Sequence, residues 1–139
     1  NNQEQFAHVR AQIVDYASVA EALLADLIVQ AYRKNKLQGQ RWQCKYARGT
    51  TPLTWNAVNP EETVAHTTFE WRIIFAHESG IINSALSGQL NGIRTRRNTV
   101  HLTAKVKAGV SYYAGLAKRS HAAMFETIKQ TKAWSVANP

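Results

Sequence analysis

Between Phe6 and Tyr32 apolar side chains return at steps of three and four residues: Phe6, Val9, Ile13, Tyr16, Ala20, Leu23, Leu24, Leu27, Ile28 and Ala31. That period is one face of an α-helix, not the alternation of a half-buried strand. A single helix over this interval would reach about 40 Å at roughly 1.5 Å per residue. This is long for a chain of 139 residues, so a kink or break is expected near Asp15–Ser18. Ser18-Val-Ala-Glu21 has the spacing of a capping box there. Arg33, Lys34 and Lys36 gather at the far end, where they complement the helix dipole.

From Lys36 to Val58 the period is lost. Gly39, Gly49 and Thr50-Thr51-Pro52 mark an irregular segment, inside which Trp42-Gln-Cys-Lys-Tyr-Ala-Arg48 alternates in part. It reads as a short strand or an extended loop. Its aromatics either stack on nucleotide bases or tuck the loop onto the rest of the molecule.

Asn59-Pro60-Glu61-Glu62 is a helix start, with a capping Asn, Pro at the first helical position and carboxylates in the first turn. The helix is expected to continue through Val64, Thr68, Trp71, Ile74, Phe75 and Glu78 and to stop at Gly80 in a left-handed cap. Glu62, His66 and Glu70 stand at four-residue steps on it, a spacing shared by metal ligands and by ordinary surface charge pairs. Asn83-Ser84 caps the next helix. Thr103 caps the last one, whose buried face is expected to be Val106, Val110, Tyr113, Leu116, Ala117, Met124, Phe125 and Ile128. Trp134 to Pro139 is expected to fray or fold back. The sum is one all-α domain over 1–139, an up-and-down bundle of four to five helices with one long irregular loop at about 36–58.

Charge narrows the partners. The net charge is +8, and no Asp or Glu occurs between Glu78 and Glu126 or between Asp26 and Glu61. Intervals of one sign draw polyanions, nucleic acid above all. The basic residues do not form one amphipathic surface helix, and no apolar run is long enough to span a bilayer, so no membrane partner is expected. Cys44 is the lone cysteine, which excludes an intramolecular disulfide and a multi-Cys metal site and suits reducing cytosol. The polar start Asn-Asn-Gln-Glu-Gln does not look like a signal peptide, and without Met it is expected to be trimmed or added.

The chemistry concentrates in Gly92-Ile-Arg-Thr-Arg-Arg-Asn-Thr-Val-His-Leu102. On a helix, Leu86, Leu90, Ile93 and Val100 form a narrow apolar stripe with Arg97 near its middle. Arg94, Asn98 and His101 line one shoulder, and Arg96 lies off the other. A guanidinium on an apolar face is costly unless something anionic or hydrogen-bonding meets it. Either a carboxylate such as Glu21 or Asp26 satisfies it structurally, or a polar site is cut into the packed face. Histidine exchanges protons near neutrality, and arginine clamps phosphate and offsets transition-state charge. This combination suits metal-independent RNA cleavage, in which the ribose 2′-hydroxyl attacks its own phosphodiester. No cofactor or metal is called for, and no Gly-rich phosphate loop or nucleophile elbow is present.

Gln89-Leu-Asn-Gly-Ile-Arg-Thr-Arg-Arg-Asn-Thr-Val-His-Leu102 resembles the signature helix of the HEPN superfamily, in which an Arg, often followed by Asn, precedes His by four to six intervening residues. Ala76-His-Glu-Ser-Gly-Ile-Ile82 is similar to the turn leading into that helix, and Tyr16 to Tyr32 is compatible with the first long helix of such domains. The resemblance covers most of the chain in layout but is specific only around residues 76–102.

The resemblance implies a homodimer whose two motif helices form one composite cleft. It also implies ribonuclease activity of a toxin–antitoxin, defence or RNA-processing kind, with a cognate antitoxin as a partner in the first case. His101, Asn98, Arg96 and Arg97 would be catalytic, Arg94, Lys105 and Lys107 would contact RNA, and Glu21 would orient a motif arginine. The sequence departs from the pattern at the arginine. Arg97 precedes Asn98 but only three residues separate it from His101, whereas Arg96 and Arg94 satisfy the spacing with four and six intervening residues. Two other readings stay open: a catalytically silent HEPN module that binds RNA or a nucleotide, and a basic helical bundle acting as a DNA-binding or adaptor protein.

Overall fold

A computed structural model describes residues 2–38, 53–102 and 110–139, with side chains other than those of 2, 3, 5, 6, 97–102 and 110–113. The regular structure among the described residues is all helical, with five helices and no strand: α1 (Asn2–Arg33), α2 (Pro60–Ala65), α3 (Phe69–Glu78), α4 (Ser84–Leu102) and α5 (Val110–Ala137). Among them no helix is long and apolar enough to cross a membrane.

Contacts fix the directions of the helices. Tyr16 meets His121 and Gln30 meets Ser135, so α1 and α5 run parallel. Arg33 pairs with Glu61 at the start of α2, which runs back along α1. α3 then returns, and Ser79 at its end meets Gln38 just beyond α1. Asn83 bonds Gln130 while Arg96 and Arg119 share a cavity, so α4 and α5 are antiparallel. The order is up, down, up, down, up.

α1 is one unbroken helix, so of the kink or break expected near Asp15–Ser18 the break does not occur. Its length, about 48 Å at roughly 1.5 Å per residue, is covered by a second long helix, α5, in the most extensive helix pairing of the fold. Ile13, Ala17, Ala20, Leu24, Leu27, Ile28 and Ala31 form its buried face. It ends on Asn35 at φ 55°, with Lys36 N–H donating to Ala31 O and Asn35 N–H to Tyr32 O. This is a Schellman cap with Asn in the left-handed position.

The buried face of α5 differs from the expected one. Leu116 and Ala117 are buried, but Phe125 is 63% exposed and Ile128 41%. The inward residues are Leu116, Ser120, Ala123, Thr127, Thr131 and Trp134. The hydroxyls of Ser120, Thr127 and Thr131 donate to carbonyls one turn back at 2.7–2.8 Å, so burying them leaves no donor unmet. Small side chains there and on α1 let the two helices approach, a preference that outranks the larger apolar side chains on the other side of α5. Trp134, expected to fray, lies inside the helix and is 8% exposed, with Lys34 Nζ 5.5 Å from its ring centre.

The helix expected over Pro60–Glu78 is two. His66 ends α2, and the Thr68 hydroxyl accepts from Trp71 N–H to start α3. Glu62, His66 and Glu70 therefore do not share one helix. Asn59 makes no side-chain cap; instead Asn56 Oδ1 accepts from the N–H groups of Val58 and Asn59 at 3.1 Å. Trp55, on the segment entering α2, stacks on Tyr32 at 4.2 Å. Trp42 to Arg48, like the Thr103 cap, lies outside the described residues.

Candidate functional site

The motif helix is held at its start from three sides. Gly80, at φ 76°, closes α3 with Ile81 N–H on Ala76 O and its own N–H on His77 O. That Schellman turn buries Ile81 and Ile82 and aims the chain into α4. Asn83 Oδ1 then caps α4 by accepting from Leu86 N–H at 2.9 Å, and the Asn83 N–H donates to Gln130 Oε1 of α5 at 2.8 Å.

α4 is helical from Ser84 to Leu102, so its backbone carries Arg94, Arg96, Arg97, Asn98 and His101 as one run. Leu86, Leu90 and Ile93 are buried, as their stripe requires. Arg94 and Arg96 leave α4 toward different neighbours. The Arg94 guanidinium donates to Asn91 Oδ1 at 3.4 Å and stands 4.0 Å from the Glu70 carboxylate of α3. Arg96 turns to α5, where it lines a cavity of about 230 Å³ with Arg119, Ala122, Ile93, Gln89, Gly88 and Gly92. The side chains of Arg97, Asn98 and His101, and the whole of Lys105 and Lys107, lie outside the described residues.

Glu21 lies on α1, and the structure brings it to Arg72 of α3, Oε1 to Nη1 3.4 Å. Arg72 is 9% exposed and also donates through Nε to Thr67 Oγ1 and through Nη2 to the Val64 carbonyl, both at 3.0 Å. Burial pushes its proton affinity below the usual guanidinium range, and the Glu21 carboxylate opposes that shift. Arg72 thus locks α1, α2 and α3 together. No local signal in the sequence marks it, since it sits among apolar residues with no helix-spaced acid beside it.

Two further features escaped sequence reading. Arg119 joins Arg96 only through the antiparallel packing of α4 on α5. Tyr16 and His121 meet edge to face at 5.1 Å beside Gln12 and Lys118, lining a shallow groove between α1 and α5. Both pairings link distant helices, which no local spacing reveals. Among the described residues no three His, Cys, Asp or Glu side chains are grouped to hold a metal ion. Comparison of the chain with protein-family models, with curated proteins and with solved structures found no match.

Proposed function

We propose that this protein is a metal-independent endoribonuclease of the HEPN type that works as a homodimer. The observation that carries the reading is the unbroken course of α4 through Leu102. It keeps Arg94, Arg96, Arg97, Asn98 and His101 within about two turns of one another. In the reaction, His101 takes the proton of a ribose 2′-hydroxyl as its oxygen attacks the adjacent phosphorus. The P–O5′ bond breaks and the departing oxygen takes a proton, leaving a 2′,3′-cyclic phosphate and a 5′-hydroxyl. Motif arginines offset the charge that accumulates on the phosphoryl oxygens. The acid-free interval from Glu78 to Glu126 draws the RNA strand. The exposed Phe125 and Ile128 on α5 offer apolar surface that a second copy would cover.

Single-stranded RNA incubated with the protein in EDTA tests the proposal, with His101→Ala alongside. Cleavage that leaves cyclic phosphate ends and disappears in the variant supports it; intact RNA, or equal cleavage by both, refutes it. The departure in arginine spacing favours one second reading, a silent module that binds RNA without cutting it. In that case binding persists without products and weakens steeply as salt rises.

A further inference from the structure

Two contacts mark one edge of the seam between α1 and α5: Tyr16 on His121, and Gln30 with Ser135. On each helix the two positions are 14 residues apart, close to four full turns, so both contacts lie on the same side. Between them the edge is apolar and open. Val19 is 42% exposed on α1, and Phe125 and Ile128 are 63% and 41% exposed on α5, with half-buried Leu23 and Met124 beside them. Charges of opposite sign border this strip. Asp15 and Asp26 flank it on α1, and Lys118, Lys129 and Lys132 flank it on α5, all of them exposed. Glu126, the acid between those lysines, turns toward the start of α4 by accepting from Gln130, which in turn accepts from Asn83. Among the described residues neither aspartate and none of the three lysines makes an ion pair.

We propose that this strip is where a second copy of the chain docks, with α1 of each copy lying along α5 of the other. The spacing of the charges selects both the partner and its orientation. Asp15 and Asp26 stand 11 positions apart, as do Lys118 and Lys129. Both seam contacts set α1 against α5 in one register, a difference of 105 positions. A twofold axis parallel to the helices preserves height along them. Asp15 then comes level with the second copy's Lys118, and Asp26 with its Lys129, to within about two residues. That is a step of roughly 3 Å along the axis, which a lysine stem spans. Phe125 of each copy meets Val19 and the small, exposed Ala22 of the other. An axis across the helices would instead set α1 on α1 and α5 on α5, aspartate facing aspartate and lysine facing lysine. A nucleic acid would suit the lysines but be repelled by the aspartates, and it would leave the apolar strip uncovered. α4 packs on the other flank of α5, where Arg96 and Arg119 line one cavity. This pairing therefore does not bring the two motif helices together, and it differs from the composite cleft that the resemblance implies. The inference deepens the homodimer reading, on which it rests, but needs no cleavage chemistry.

The strip is about 21 Å long at roughly 1.5 Å per residue and two helices wide, a small interface, so a dimer of micromolar Kd is expected. Sedimentation equilibrium of the RNA-free protein from about 1 to about 200 μM reads it, and wild type should pass from monomer to dimer across that range. Lys118→Asp combined with Lys129→Asp should weaken the dimer about tenfold. Four rim pairs per dimer, each worth a factor of about two, give way to repulsions. The same variant carries a smaller net positive charge, so general repulsion alone would make it associate more tightly than wild type. Adding Asp15→Lys and Asp26→Lys restores opposite signs across the contact together with the wild-type net charge, and should restore the dimer. Phe125→Ser alters no charge and should weaken the dimer likewise. Every position changed is exposed, so circular dichroism should show the wild-type fold throughout. The proposal is overturned by a wild type that stays monomeric at about 200 μM, or by undiminished association of the lysine or phenylalanine variants. It is equally overturned if the variant with all four charges exchanged fails to recover. RNA cleavage that is lost in His101→Ala, by a protein that stays monomeric, would sink this inference and leave the cleavage chemistry standing.

Discussion

Replacing Glu21 by Gln tests what the first helix contributes, because it removes a charge while keeping the side chain's size. In the wild type the carboxylate stands 3.4 Å from Arg72 Nη1, with the two side chains 24% and 11% exposed. Taking one partner from a fully buried pair costs about 3–5 kcal/mol, because the other charge is left uncompensated. Three facts reduce that figure. The contact is long, Glu21 retains some water, and Arg72 keeps Thr67 Oγ1 and the Val64 carbonyl as acceptors. A loss of about 1–3 kcal/mol is expected, the range for a hydrogen bond to a charged group. At this chain length that lowers Tm by very roughly 3–10 °C.

Urea unfolding of wild type, Glu21→Gln, Arg72→Met and the double variant forms the cycle that isolates the pair. In the Arg72→Met background Glu21→Gln should cost clearly less than in wild type, since the Arg72 charge it balances is gone. An equal cost in both backgrounds would refute the account and move the role of Glu21 elsewhere, toward the motif helix. RNA cleavage measured on the same variants would then separate an orienting acid from a purely structural one.

Glycines of different backbone geometry should respond with opposite sign. Gly88→Ala should stabilise by about 0.5–1 kcal/mol, whereas Gly80→Ala, at φ 76°, should destabilise by about 1 kcal/mol or more, both read from urea midpoints. In the seam between α1 and α5, Thr127→Val should change stability little, because the Ala123 carbonyl that accepts its hydroxyl is already within the helical ladder. Thr127→Leu should cost about 1–3 kcal/mol by overfilling a fully buried site, and equal effects of the two would contradict the close seam. The Glu61 carboxyl is held below its ordinary value by a backbone N–H and then by Arg33. A depressed folded-state value means that its contribution is present above the ordinary carboxylate range and is lost as pH falls through the folded-state value. Wild type should therefore exceed Glu61→Gln slightly in urea midpoint at pH 7 and lose that advantage in acid, once the carboxyl is protonated in both folded and unfolded chains.

Local signals in the sequence reached as far as single helices and their ends. The period of Phe6–Tyr32, Pro60 as a helix start, the stop at Gly80 and the cap at Asn83 all depend on residues within a turn of one another, and all appear in the structure. Which face of α5 turns inward depends on what it packs against, and that the apolar pattern does not reveal. Phe125 and Ile128 look like core until Thr127 and Thr131 are seen to satisfy their own hydroxyls, which leaves the smaller face free to pack. The break at His66–Thr68 was hidden because Val64 and Trp71 continue the apolar period through it, while Thr67 and Thr68 act through hydroxyls that the period ignores. At the candidate site the run on α4 was legible, but Arg119 was not, since only the crossing of two helices delivers it. Arg72 was equally hidden, since two of its acceptors, Val64 O and Thr67 Oγ1, lie in the turn between α2 and α3 and the third, Glu21, comes from α1.

The parallel union of α1 with α5 has a consequence for how the molecule is made. Gln30 and Ser135 touch across 105 positions of chain, so the largest seam closes between the first helix and the last. Closure entropy rises only logarithmically with separation, so the finished fold is little weakened by this arrangement, but its formation is delayed. During synthesis α1 leaves the ribosome well before α5, so its inner face waits for its lasting partner. A nascent chain arrested before α5 would present that face to chaperones or to other chains. Supplying α5 as a separate peptide should be enough to quench it.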